Sequence, residues 1–318
     1  MSSQSTVVYF YDGTLEGFFS AVFDAYTRED KPDIIATPGN FQQRLDQVTH
    51  VVETAEEKYE RVYAGIITRM GRGGYTKAKT VFLSPHPDKD TILYRYLRYG
   101  FEVGTKVHVD LAHELVNPVE RLVRETNLEA HRMRMFARFA RMENGVYFAT
   151  INPKCNVLPL VMEHFARRFN VQPFVIYDEV HHLVGISDRK SWRLQYVDED
   201  FEAPDCAVDD RQYQKLWKAF YDAVAIEERV NHKLRRNFMP LRFWRNLTEM
   251  TYLERGEDAA EGVVALPTSD LHQPQLRPGG AIAEDATDRL RLSEDRSMSR
   301  LVYPADASAG RLVQPGRR

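Results

Sequence analysis

Apolar positions in the first hundred residues switch repeatedly between strand and helix spacing. Residues 7–11 (VVYFY) form a β-rich run that stops at Asp12-Gly13, a turn signal. From Thr14 onward Leu15, Phe18, Phe19, Val22, Phe23 and Tyr26 fall on one face at helical spacing, with Asp12 or Thr14 placed to cap the helix. A loop with Pro32, Pro38 and Gly39 surrounds a short strand DIIA, and residues 48–53 (VTHVVE) read as another strand. Thr54 and Glu57 give a capping-box pattern for a helix running to about Met70, where Gly71, Gly73 and Gly74 end it. Two further short helices are expected over residues 75–83 and 88–99.

A second region begins with a helix from His108, broken near Pro118 and resuming through Leu128 to Met142. Strands are expected at 146–151, 173–178, 181–187 and 191–197, with a helix over 157–169 between the first two. A long helix over 209–235 carries Leu216, Trp217, Phe220, Tyr221, Val224 and Ile226, and Met239-Pro240 opens a short final one. The expected fold class is α+β: helix-rich, with a small central antiparallel or mixed sheet and a disordered C-terminal tail. The regions divide as 1–104, an N-terminal α/β unit, 105–252, an α+β unit closed by a basic-aromatic helix, and 253–318, the tail. After Tyr252 the chain is rich in Ala, Gly, Pro, Ser, Asp and Arg and has no Phe or Trp, a composition that does not build a core.

The net charge of −3 excludes a protein that coats DNA by bulk electrostatics, so any polyanion site must be a local patch. Cys155 and Cys206 belong to no paired-spacing motif, which excludes a disulfide framework, a Cys-rich zinc module and a four-thiolate iron–sulfur cluster. The start MSSQSTVVYFYDG reads as no signal peptide, and no run of roughly 18 apolar residues suggests a membrane span. The expected address is cytoplasmic, with no membrane partner.

Candidate chemistry lies mostly in cationic-aromatic stretches. NHKLRRNFMPLRFWRNLTE interleaves Lys233, Arg235, Arg236, Arg242 and Arg245 with Phe238, Phe243 and Trp244. Guanidinium groups neutralise phosphates, and aromatic faces stack on bases or on guanidinium planes. EAHRMRMFARFARME reads as a helix with a stripe of Leu128, Met135, Phe139 and Met142, edged by His131 and Arg138, with Arg134 further round. His164 stands three and four residues from Arg167 and Arg168, a spacing that suits phosphate or carboxylate binding. Asp178 at a strand end beside His181 and His182 suggests a metal ligand, acid–base work or a plain turn. Asp12-Gly13-Thr14 suits a phosphate or a helix cap. RMGRGGY lacks the Walker lysine and HVDLAHE lacks the zinc-peptidase order.

Six segments in order carry a resemblance: YFYDGTLEGFFSAVFDAY, EAHRMRMFARFAR, VYFATINP, EHFARRF, FVIYD and LWKAFYDAVAIEERVNHKLRRNFMPLRFWRNLTE. Over residues 7–250 the chain resembles a bacterial family described as DNA-metabolism or DNA-repair proteins, a domain of unknown function. The resemblance implies a link to DNA, since such members are fused to a uracil-DNA-glycosylase-like domain or stand alone beside a radical SAM protein. This chain looks like the stand-alone form. Two cysteines fall short of the three-cysteine motif of a radical SAM enzyme, so that chemistry would belong to a partner. The family's pattern carries over to His131 with Arg132, His164 with Arg168, Asp178, and Arg236 with Pro240, Arg242 and Trp244. His181 departs from it, an Arg being expected there.

The function expected is therefore a DNA repair or DNA metabolism protein that binds single-stranded or damaged DNA and works with a radical SAM or glycosylase-type partner. Arg132, Arg134, Arg138, Arg168, Arg235, Arg236, Arg242 and Arg245 would hold the backbone, while Trp244 and Phe243 stack on an exposed base. One alternative is a DNA-acting nuclease or lyase using His131, His164 and Asp178. Another is a protein scaffold for a radical SAM partner without DNA contact. No cofactor or metal is assigned.

Overall fold

A computed structural model of the chain describes residues 6–41, 46–198, 201, 207–226, 229 and 231–250. The expected tail, 253–318, lies outside the described residues. The fold is a helix-rich α+β arrangement with two sheets. β1 (Thr6–Phe10) is the centre of a parallel three-stranded sheet, flanked by β2 (Ile34–Ala36) and β3 (Gln47–Val51). The second sheet is mixed, in the order β4 (Ala140–Arg141), β5 (Tyr147–Ile151), β6 (Phe174–Asp178), β7 (Leu183–Ser187) and β8 (Trp192–Tyr196). Only β5 and β6 in it are parallel, and α5 (Leu158–Arg168) makes the crossover between them.

The Asp12-Gly13-Thr14 turn is a helix cap. Thr14 Oγ1 accepts from Gly17 N at 2.8 Å to start α1 (Leu15–Thr27), and Asp12 accepts from Thr14 and, at 2.8 Å, from the Thr54 hydroxyl. Thr54 is thereby diverted from the expected capping box; Ala55 occupies the N-cap of α2 (Glu56–Phe82) without a side-chain bond. α2 is two helical stretches joined by a bend at Gly71, whose φ of 74° a residue with Cβ rarely adopts, so the first stretch does end at the expected glycines and a second follows at once. Pro118 does not break a helix but occupies the first turn of α4 (Asn117–Phe136).

The helix expected over 129–143 stops at Phe136, because Phe139 turns inward to pack on Phe165, Phe169 and Phe174 and the next two residues pair with β5. The expected apolar stripe shifts accordingly: Leu128 and Met135 are each 46% exposed, while Ala130 and Met133 are buried. The long helix expected over 209–235 is α6 (Val208–Val224) and a separate α7 (His232–Phe238), followed by a 3-10 turn at Leu241–Asn246. Tyr221 packs on the second core, yet Tyr213, Leu216, Phe220 and Val224 leave an apolar face of α6 in solvent.

One core joins the three-stranded sheet with α1, α2 and α3 (Lys89–Val103), and is rich in buried rings such as Tyr9, Phe18, Phe19 and Tyr94. The other lies between the mixed sheet, α5 and the 3-10 turn. α4 serves both: Val119 and Leu122 belong to the first core and Ala130 and Met133 to the second. The first core thus takes in residues on both sides of position 104. No helix among the described residues is long and apolar enough to cross a membrane.

Candidate functional site

Past the C-terminal end of β5 the chain turns through Asn152, Pro153, Lys154 and Cys155 into α5, leaving an edge of parallel strands where ligands commonly bind. Asn152 fixes this loop to the 3-10 turn. Its Nδ2 donates to Arg242 O at 2.8 Å, and its Oδ1 accepts from Asn246 Nδ2 at 3.4 Å. From α4, Glu129 projects into the junction, 4% exposed. One oxygen accepts from Lys154 N at 2.8 Å; the other accepts from Arg242 Nη2 at 2.6 Å and lies 3.8 Å from Arg132 Nη1. A buried carboxylate is costly without such partners, and Glu129 has them from three residues.

Around it opens a cleft of about 530 Å3. Arg132, Lys154 and Arg242 supply its cations; Leu128, Pro85 and Pro240 supply apolar wall; Glu125, His86 and Ser84 complete the rim. Arg242 Nη2 donates to Glu129, and Arg242 Nη1 is buried without a hydrogen-bond partner. The guanidinium carbon lies 4.1 Å from the centre of the Phe243 ring. Cys155 lines the same wall, and burial pushes its thiol up to about 11. Nearby, burial lowers the Lys89 ammonium, whose Nζ donates to Phe82 O at 2.6 Å and closes the C-terminus of α2.

The other cations separate from this group. Residues two apart on a helix point to opposite flanks, so Arg134 leaves α4 away from Arg132. Arg134 joins exposed His164 and Arg168 on α5; partial burial first, then the charges of Arg134, Arg168 and Arg167, hold the His164 imidazole below its usual range. Arg138 is committed to Glu249, through Nε at 3.2 Å and Nη2 at 2.6 Å, and Trp217 Nε1 shares that carboxylate at 3.1 Å. Arg245 pairs with Glu179. Arg235 lies 5.2 Å over the Trp244 ring, and the indole donates to Met239 O at 2.9 Å. Arg236 is exposed on α7. Phe243, expected to stack on a base, is 2% exposed against Phe136 and belongs to the core.

Asp178 is fully buried, and its oxygens close the turn after β6. Oδ1 accepts from Val180 N at 3.1 Å and His181 N at 3.2 Å, and Oδ2 lies 2.7 Å from His181 Nδ1. His181 and His182 therefore form the turn rather than the start of β7, and the turn needs a donor where the resemblance implied an Arg. His131 is exposed on α4, and neither it nor His164 nor Asp178 lines the cleft. Among the described residues no group of three or more His, Cys, Asp or Glu is arranged to hold a metal. Sequence reading missed Glu129, Lys154 and Leu128. The one available signal was the position of Lys154 in a loop leaving a strand of a crossover unit.

Compared with known families, residues 87–249 match the one described as Domain of unknown function (DUF4130). No curated protein matches the chain. The matched stretch holds the mixed sheet, α4 and every cleft residue except Ser84, Pro85 and His86.

Proposed function

The chain belongs to the family described as Domain of unknown function (DUF4130), and from that footing we propose that it is a DNA repair or DNA metabolism protein which binds single-stranded or damaged DNA and acts beside a separate enzyme of radical SAM or glycosylase type. The observation that carries this reading is the convergence of Arg132, Lys154 and Arg242 from three separate segments on one cleft. On a chain of net charge −3 such a cluster is a local attractor for phosphate, not a by-product of a basic surface. The apolar face of α6 offers a partner protein a surface away from these cations.

Fluorescence anisotropy with a labelled single-stranded oligonucleotide tests the reading. Three phosphate contacts give affinity that falls with salt at a log–log slope of roughly −2, at about 0.7 per phosphate. Changing Arg132→Ala with Lys154→Ala removes two contacts and lowers the slope to roughly −0.7. Absence of salt-dependent affinity for single-stranded and for uracil-containing DNA rejects it.

A further inference from the structure

We infer that the cleft beside Glu129 is a site for one nucleoside monophosphate unit, with the phosphate on Arg132, Lys154 and Arg242 and the base between Leu128 and the two prolines. The inference rests on the DNA reading for its ligand class and goes beyond it in naming the ligand unit and its pose. At about 530 Å3 the cleft lies within the range of small-molecule sites and cannot admit a duplex.

Its lining combines two kinds of chemistry. Three cations face the buried carboxylate of Glu129 and the exposed one of Glu125, which leaves a net positive charge to attract a phosphate. Arg242 is already oriented for this: Glu129 grips Nη2, so the partnerless Nη1 is held in place and stripped of water before any ligand arrives. Glu129 is thus a positioning residue. Pro85, Pro240 and Leu128 add apolar wall, and Leu128 keeps 46% of its surface exposed on a helix that buries Ala130 and Met133 instead. A sugar phosphate has no flat apolar face for such a wall, whereas a base does. Glu125, exposed beside this wall, offers acceptors for the amino and imino edges of a base.

Isothermal titration calorimetry on the full chain with deoxythymidine monophosphate, thymidine and inorganic phosphate tests this. The monophosphate is expected to bind at least ten-fold more tightly than either fragment. Arg132→Ala, at a guanidinium 3.8 Å from its nearest carboxylate oxygen, lowers monophosphate affinity at least ten-fold. Leu128→Asn, a neutral change at a half-exposed site, lowers it while sparing inorganic phosphate, and far-UV circular dichroism checks that both variants fold. Displacement of a labelled oligonucleotide by the monophosphate assigns the site to a nucleotide of a strand; binding without displacement assigns it to the free compound. Equal affinity for phosphate and monophosphate overturns the base wall. No heat with the monophosphate, while oligonucleotide affinity persists, overturns the inference and leaves the DNA reading standing; loss of both overturns both.

Discussion

Glu129 holds Arg242 and Glu249 holds Arg138 across separations of 113 and 111 positions, and these two pairs decide which arginines remain available to a ligand. Burial pushes the Glu249 carboxyl up, but hydrogen bonds from Arg138 and Trp217 and the Arg138 charge bring it below the ordinary carboxylate range. A depressed folded pKa contributes stability that is present above the unfolded value, about 4.3, and is lost as pH falls through the lower folded one. Arg138→Ala strands this carboxylate and is expected to cost about 3 kcal/mol, read from the urea midpoint at pH 7. Glu16 shows the opposite sign. Burial raises it from 4.5 to about 7, so its contribution is present below 4.5 and lost as pH rises through 7. Glu16→Gln should therefore raise the thermal midpoint at pH 8 and leave it unchanged below pH 4.5. The arginines of the site were visible in the sequence as residue types. Their partners were not, because Glu129 looks like any helix acid until the fold closes over it.

Among elements, β1, α1, β5, α5 and β6 were legible to within a residue or two, since each is a run of one periodicity bounded by turn residues. Misreadings came where tertiary contacts overrode local pattern. Phe139 left helical register to reach three phenylalanines, and α6 kept the amphipathic spacing of a core helix while burying mainly Tyr221 and part of Trp217. α2 shows a third kind of case, in which the glycines do end one helix but another resumes at once beyond the bend at Gly71. A Cβ at Gly71 meets nothing within 4 Å, so Gly71→Ala tests backbone strain alone. It is expected to cost about 1–3 kcal/mol in chemical unfolding.

At the scale of the whole molecule, α4 contributes Leu122 to one core and Met133 to the other, so neither core can open without disturbing the helix they share. Met133→Ala is expected to cost about 3 kcal/mol. Tyrosine fluorescence, dominated by the ring-rich first core, should shift by the same amount as far-UV circular dichroism, in one transition. Two separated transitions, with only one moved, would show that the cores melt independently. The placement of Cys155 has a chemical consequence for the same molecule. A thiol held near 11 presents almost no thiolate at neutral pH, and thiolate is what peroxide attacks. With only 6% of the residue reaching solvent, its sulfur meets oxidants slowly and in unreactive form, so the wall it forms keeps its shape where an ordinary exposed cysteine would be converted to an acid.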